Sequence, residues 1–213
     1  MRPLSLHERR PASEGVSFRQ LFAGSAVIGG RSEFTLTDYA AEIVAGGFPA
    51  MRHLSGRPAA GPSAAIPRDG TLLGGLFESL AALSVRTFAQ NCDARVSHLR
   101  TKGGRLEVDF VVEADAGVVA FEVKLSAAIN DPHISHLHWL SGELGDNCIN
   151  AMVLNSGPEA YRRRDGVAVI PLALLLPQFD TPRATTHARV GSTTMTLYSS
   201  ATFDATPITF ATT

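Results

Sequence analysis

Cysteine is scarce in this chain, which has only Cys92 and Cys148 among its 213 residues. Two thiols so far apart, with no apolar leader segment before them, favour free cysteines in a reducing compartment over a disulfide. No apolar run approaches the roughly 20 residues that a membrane span needs. The sequence therefore predicts a cytoplasmic protein that makes no contact with a membrane.

An excess of charge of one sign is also missing, because 19 Lys and Arg residues face 20 Asp and Glu residues. This balance excludes a globally basic nucleic-acid-binding protein, so any contact with phosphate must come from a local patch. A phosphate-binding loop is missing too. Residues 24–32, GSAVIGGRS, contain glycines but no lysine where GxxxxGK[ST] requires one. The chain is therefore not expected to bind a nucleotide or to act as an ATPase.

The length suits one domain with an appendage, and composition divides the chain into segments of different character. One segment is dense in apolar residues, one is rich in Pro, Gly, Ala and Ser as linkers are, and one is rich in threonine but lacks lysine. The predicted segments are a loosely organised stretch at 1–55, a linker at 56–70, the dense domain at 71–177 and a threonine-rich tail at 178–213.

Hydrophobic periodicity in the dense segment predicts a mixed α/β domain with the order α-β-β-β-α-β-β. Its second helix is expected to open with Asp131 as N-cap and Pro132 at the first helical position. Before the linker, one helix is predicted, capped by Thr37 or Asp38. The predicted helices are 37–45, 72–91 and 131–144, and the predicted strands are 95–99, 106–113, 118–125, 149–154 and 167–170.

The most informative stretch is EVDFVVEADAGVVAFEVK at 107–124, which predicts a β-hairpin with its turn at 114–117. Symmetric closure places Glu122 opposite Asp109 and Lys124 opposite Glu107, with all four side chains on one face. Like charges directly opposed destabilise a sheet, so a cation is expected between Asp109 and Glu122. The alternative is an ordinary acidic face that meets water. The other face is predicted to be core and comprises Val108, Phe110, Val112, Phe121 and Val123.

Glu78 is the one acid of the first predicted helix of the domain, and it lies among small residues that let a helix approach a sheet closely. Such a glutamate lies at a cleft or caps a polar group, whereas the alternative is a solvated acid on an alanine-rich surface. Two or three acids with a lysine suit metal-assisted hydrolysis of a phosphodiester. Carboxylates hold Mg²⁺ or Mn²⁺, and the lysine orients the attacking water or offsets developing negative charge.

Asp109, followed thirteen residues later by Glu122-Val123-Lys124 and preceded by Glu78 on a helix, resembles the PD-(D/E)xK nuclease signature. The wider sequence resembles bacterial and archaeal AAA+ ATP-binding proteins whose C-terminal part is a nuclease-like domain of unknown function, number 4143. The similarity is dense over residues 72–177 and patchy over residues 1–52. The stretches that carry it are GGFPAMR, LLGGLFESLAALSVRTFA, HLRTKGGRLEVDFVVE, AFEVKLS, DPHISHLHWL and AYRRRDGVAVIPLALL.

This resemblance implies a restriction-endonuclease-like core, a mixed sheet flanked by helices. It implies that Asp109, Glu122 and Glu78 hold Mg²⁺ or Mn²⁺ and that Lys124 is the catalytic lysine. The chain departs from the family in lacking the ATPase module, so residues 1–55 are interpreted as a remnant of the region after it. The implied function is a metal-dependent nuclease-like domain acting on DNA. The alternatives are a non-catalytic module that binds nucleic acid or protein, alone or as a homo-oligomer, and a decayed remnant.

Two groups of basic residues are candidates for DNA contact, and simple solvation is the alternative for both. The first group surrounds the turn before the hairpin, and the second forms a loop between two later strands. The histidines of the helix at 131–144 have poor spacing for zinc, although one of them could contact phosphate. The candidate DNA-binding residues are Arg100, Lys102, Arg105, Arg162, Arg163 and Arg164.

Overall fold

The computed structural model describes residues 2–49 and 70–177, together with the backbone of residues 187–190 and 193–196. The chain forms two compact units, Met1–Phe179 and Asp180–Thr213. Apart from Gly70, the predicted linker at 56–70 lies outside the described residues. In the predicted tail, strands β9 (His187–Val190) and β10 (Thr193–Thr196) pair antiparallel.

The first unit contains a mixed sheet of six strands flanked by helices, which confirms the predicted mixed α/β class. The elements from residue 70 onward are α4 (Gly70–Gln90), β2 (Arg95–Arg100), β3 (Glu107–Ala114), β4 (Gly117–Lys124), a 3₁₀ turn (Asp131–Ile134), α5 (Ser135–Leu144), β5 (Cys148–Asn155), β6 (Tyr161–Arg162), β7 (Ala168–Pro171), a 3₁₀ turn (Leu172–Leu174) and β8 (Leu175–Leu176). The predicted order α-β-β-β-α-β is present, and the strands are arranged β2-β3-β4-β5-β7-β6 across the sheet.

Strand direction follows from the connections. The short turns put β3 antiparallel to both of its neighbours, β2 and β4, and β6 is antiparallel to β7. The longer connection through α5 allows β4 and β5 to run parallel, and β7 continues in the same direction. The register of β2 against β3 shifts between Ser97 and Leu99, which pair with Val111 and Val108. Strand β3 therefore has one extra residue at Asp109–Phe110, which is a β-bulge.

Both faces of the sheet are covered. Phe110, Val112, Phe121 and Val123 belong to a first apolar cluster with α4, whereas Val108 belongs to a second cluster with α5. The prediction that these five residues share one core face is therefore wrong for Val108. The bulge is the physical reason, because the extra residue reverses the alternation of side chains along β3.

The N-terminal segment is more ordered than the sequence predicted. It forms α1 (Leu6–Arg9), β1 (Val16–Ser17), α2 (Phe18–Phe22) and α3 (Leu36–Ala45). Strand β1 pairs parallel with β8, and fully buried apolar side chains of the segment join the first cluster. These residues therefore pack against the domain as part of its core.

Two predicted helix caps are wrong. Thr35 caps α3, because its hydroxyl accepts from the Asp38 amide at 3.3 Å and its own amide donates to the Asp38 carboxylate at 2.8 Å. This reciprocal pair satisfies two free N–H groups, which neither Thr37 nor Asp38 as N-cap would do. The later helix begins as a 3₁₀ turn that Asn130, and not Asp131, precedes.

Helix α4 is the one helix in the described part of the chain that could cross a membrane by length and composition. Half of its apolar window is buried inside the protein, and core helices of soluble proteins meet the same criteria of length and composition.

Candidate functional site

Asp109 lies in the bulge of β3 and contacts β4 through its side chain. Its carboxylate Oδ2 accepts a hydrogen bond of 2.7 Å from the backbone N–H of Val123. The ladder between β3 and β4 ends at the pair Phe110 and Phe121, one position before the predicted pair of Asp109 and Glu122. The Asp109 carboxylate thus takes the place of a backbone carbonyl as the acceptor for the Val123 N–H. It therefore lies next to the Glu122–Val123 peptide.

Glu122 and Lys124 form an ion pair at the end of β4. The Lys124 ammonium donates to Glu122 Oε1 at 2.6 Å, and the Glu122 side chain is only 9% exposed. Burial first, and then the negative charge of Asp109, raise the pKa of Glu122, while Lys124 acts in the opposite direction. Within the described residues, the buried Glu122 Oε2 has no hydrogen-bond partner. A buried acceptor without a donor is costly, so this oxygen is suited to a cation or a donor from a ligand.

Glu78 lies on the other side of the sheet from this ion pair. It projects from α4 into a cleft of about 270 Å³ that Asp109 and His98 also line. Glu78 is an exposed residue, but partial desolvation in the cleft and the negative charge of Asp109 raise its pKa, whereas His98 and Lys124 lower it. The neighbours of Glu122 along β4 face the first cluster, so Glu122 itself faces the α5 side. Asp109 is therefore the acid whose charge is felt on both sides of the sheet.

Two histidines that the predicted site omits contact the backbone of β3. His98 Nδ1 lies 3.2 Å from the Asp109 carbonyl oxygen, and His136 Nδ1 lies 2.9 Å from the Glu107 carbonyl oxygen. A protonated His136 would lower the pKa of Glu122. His136 could be anticipated only as a histidine of the helix after the hairpin, while the position of His98 depends on the bulge opposite it.

The Glu107 carboxylate contacts two side chains of β2, whereas the symmetric hairpin predicted that it lies opposite Lys124. The carboxylate lies 3.2 Å from His98 Nε2 and 3.8 Å from Arg100 Nε, both on β2. The side chain is thus engaged at the outer edge of the sheet. The candidate site consists of Asp109, Glu122 and Lys124, with Glu78 across the sheet.

The two basic groups lie at opposite edges of the sheet. Arg100, Lys102 and Arg105 flank the β2–β3 connection, whereas Arg162 ends the short edge strand β6 and residues 163–164 follow it. Five strand spacings separate β2 from β6, which corresponds to about 24 Å. The structure therefore does not bring the two groups into one patch.

The arginines of the second group differ in how far they are already engaged. Arg163 donates to Asp165 at 3.0 Å, to the Ile129 carbonyl at 3.1 Å and to Asp131. Arg162 donates to the Gly166 carbonyl at 2.6 Å and to the Asn150 side chain at 3.2 Å. Arg164 is exposed. Two of the three guanidinium groups thus stabilise the loop itself.

The donor set is compatible with a hard divalent cation. Mg²⁺ usually binds through one or two carboxylates and keeps several waters. Asp109 and the unpaired oxygen of Glu122 are the carboxylate groups that would supply these ligands. In the part of the chain that the structure describes, no three His, Cys, Asp or Glu side chains form a ready-made metal cage. A cation here would therefore be held mainly by two carboxylates and water.

Residues 73–175 match the family model described as Domain of unknown function (DUF4143). The DUF4143 match runs from α4 to the start of β8 and includes all of the candidate residues of the site. No curated protein and no solved structure matches the chain significantly. Since the DUF4143 description gives no activity, a function for the domain has to be argued from the chemistry of its side chains.

Proposed function

We propose that the DUF4143 domain of this chain is a Mg²⁺- or Mn²⁺-dependent nuclease-like domain of the PD-(D/E)xK kind that acts on DNA phosphodiesters in the cytoplasm. We further propose that it derives from an AAA+ ATPase–nuclease fusion. The observation that carries the proposal is the buried, unpaired Oε2 of Glu122 beside the charge of Asp109. A carboxylate whose pKa is raised by the charge of a second acid is stabilised in its ionised form when a divalent cation binds to it.

Each side chain has a defined role in this proposal. Asp109 and Glu122 would hold the cation, which lowers the pKa of a bound water and offsets charge on the phosphate. The Val123 N–H donates to Oδ2 of Asp109 and thereby orients the carboxylate, which has further lone pairs for a ligand. Lys124 provides a positive charge at the same strand end, where it can orient the water or stabilise developing negative charge. Glu78 supports the site from the α4 side through its interaction with Asp109.

The first basic group is the better candidate for DNA contact. Arg100 pairs in register with Glu107, at the end of the sheet where β4 reaches Lys124. Lys102 and Arg105 are exposed on the connection that follows. Phosphates bound there would lie at the same end of the sheet as the proposed cation.

The test combines Mn²⁺ binding, followed by electron paramagnetic resonance, with cleavage of single-stranded and duplex DNA. Asp109→Asn and Glu122→Gln should each weaken Mn²⁺ binding about tenfold or more, because each removes one charged ligand. Glu113→Gln is a matched control, since Glu113 is an acid of β3 that pairs with Arg95 at the far end of the strand. Failure of the wild-type chain to bind millimolar Mn²⁺, or equal binding by all variants, would refute the metal-dependent proposal.

The second candidate is a non-catalytic module that binds nucleic acid or a protein partner. The observation that favours it is the direct Lys124–Glu122 contact at 2.6 Å, which neutralises both groups within the protein. On this proposal, Asp109→Ala leaves DNA or partner binding unchanged and no DNA is cleaved. Loss of DNA binding by that variant would count against it.

A further inference from the structure

Asn155 is a buried amide at the end of β5 whose oxygen is unused. Its residue exposure is 1%, and its Nδ2 donates to the Ala127 carbonyl at 3.0 Å. This bond fixes the orientation of the amide, because only the NH₂ group can donate to a carbonyl. Gly157 packs against the same nitrogen so closely that a Cβ there would lie 2.8 Å away. Oδ1 is thus held in one direction, and among the described residues it has no hydrogen-bond partner.

The unused oxygen lies on the same side of the sheet as Lys124. Strands β4 and β5 are parallel, and Asn155 is in register with Lys124. Leu154, the residue before Asn155, belongs to the first cluster, and Val153 belongs to the second. Alternation therefore turns Asn155 to the α5 side, where Glu122 and Lys124 also lie. Side chains in register on neighbouring strands are about 5 Å apart at Cβ.

Hydrogen-bond donors and acceptors are not fully paired around Glu122, Lys124 and Asn155. Two buried acceptors, Glu122 Oε2 and Asn155 Oδ1, have no donor. Lys124 has three N–H donors, and its one partner in the described part of the chain is Glu122 Oε1. Buried acceptors without a donor are rare and need an explanation, such as a second arrangement in which they are satisfied.

We propose that Asn155 is the alternative hydrogen-bond acceptor for Lys124, used when the carboxylate of Glu122 is engaged by another group. This inference rests on the proposed function in one respect, namely that the engaging group would be the divalent cation. A cation that binds Glu122 weakens its attraction for the ammonium, and Asn155 then keeps Lys124 oriented at the end of the sheet. Asn155 is thus a positioning residue that acts through Lys124.

The first experiment contains no metal, so its outcome does not depend on catalysis. Glu122→Met removes the present acceptor of Lys124 while filling the same space with an apolar side chain. In this background, a double-mutant cycle with Asn155→Ala and Lys124→Met measures the coupling of the two residues. Unfolding in urea is followed by the fluorescence of Trp139, the single tryptophan. Asn155→Ala also loses the hydrogen bond to the Ala127 carbonyl. This loss does not affect the coupling energy, because it occurs equally with Lys124 and with Met at position 124.

The expected coupling is about tenfold in the unfolding equilibrium constant in the Glu122→Met background, as for a hydrogen bond to a charged group. Little coupling is expected with Glu122 present, because Lys124 then donates to that carboxylate. Asn150→Ala is the matched control, since Asn150 is a buried amide of β5 that donates to the Leu21 carbonyl at 2.6 Å. This control should show no coupling to Lys124.

Equal, small couplings in both backgrounds would overturn the proposal, as would coupling of the same size for Asn150. If Asn155→Ala fails to fold, Asn155→Asp takes its place. A carboxylate at this position should make the Lys124→Met substitution more costly than it is in the Asn155 background, and an unchanged cost overturns the proposal.

A second measurement separates this proposal from the proposed function. Mn²⁺ binding to otherwise wild-type protein should weaken in Asn155→Ala, because Lys124 then competes for Glu122. In Lys124→Met, the substitution Asn155→Ala should leave Mn²⁺ binding unchanged. If the wild-type chain binds no Mn²⁺ but the metal-free coupling is present, the proposed function fails and the role of Asn155 stands.

Discussion

Replacing Lys124 with methionine should destabilise the protein by about 2 kcal/mol near neutral pH. The substitution removes the ammonium that lies 2.6 Å from Glu122 Oε1 and leaves a carboxylate whose side chain is 9% exposed. Breaking a fully buried ion pair costs about 3–5 kcal/mol, because an uncompensated charge remains. The Lys124 side chain is 30% exposed, so water reaches the pair and reduces this cost.

Unfolding in urea, followed by Trp139 fluorescence, measures the effect. A loss of about 2 kcal/mol corresponds to a midpoint shift of about 1 M urea for a domain of this size. The cost should depend on pH, because burial and Asp109 raise the pKa of Glu122 and loss of Lys124 raises it further. The variant should therefore approach the wild type as the pH falls toward about 4, where Glu122 is protonated in both folded proteins.

The double variant with Glu122→Gln is the control, since no buried carboxylate then remains to be left unpaired. Lys124→Met should cost clearly less in that background than in the wild type, because it then removes only hydrogen bonds to neutral acceptors. Two results would refute the reasoning: a variant as stable as wild type near neutral pH, or a loss of the same size at about pH 4 and at neutral pH. The first result would mean that water compensates the Glu122 carboxylate without the lysine. The second would mean that the loss comes from the packing of the lysine side chain and not from the charge of Glu122.

Three further outcomes are expected. Glu122→Gln should flatten the pH dependence of the free energy of unfolding. The folded state raises the pKa of Glu122, so this residue stabilises the protein at pH values below its unfolded pKa of about 4.3, and that contribution is lost as the pH rises through the folded pKa. Urea midpoints measured across pH check this. Asp109→Ala should cost about 1–3 kcal/mol more than Asp109→Asn in the same assay, because only alanine leaves the Val123 N–H without its acceptor. Tyr39→Phe should lower stability by about 1 kcal/mol, because the buried hydroxyl accepts from the Ala173 amide at 3.0 Å; an unchanged melting temperature would contradict this.

The sequence predicted the central domain well because its periodicity is strong. The helix predicted at 72–91 is observed as Gly70–Gln90, and the hairpin strands differ from their predicted bounds by one residue at each end. The two-residue strands β6 and β8 were missed, because so short a run has no periodicity to detect. The packing of the N-terminal segment was missed for a related reason, since glycine and proline interrupt its apolar residues.

From the sequence, only the part of the candidate site that depends on the hairpin register could be predicted. The proximity of Asp109 to the Glu122–Val123 peptide follows from a symmetric hairpin, and the structure has the Asp109–Val123 hydrogen bond. The side of the sheet on which each acid lies could not be predicted. It depends on the bulge, and no residue type in β2 or β3 identifies that bulge in the sequence. The contact of His98 with Asp109 was beyond prediction for the same reason.

The bulge also places the charge of Asp109 where it acts on acids on both sides of the sheet. Glu78 and Glu122 face opposite sides, yet the charge of Asp109 raises the pKa of both. A cation bound by Asp109 and Glu122 would neutralise this shared charge and so lower the pKa of Glu78, without Glu78 acting as a ligand. The same reasoning applies to Asp109→Asn, which removes the charge without any cation. Glu78 is therefore better understood as an acid that responds to the charge state of Asp109 than as a third ligand of the proposed cation.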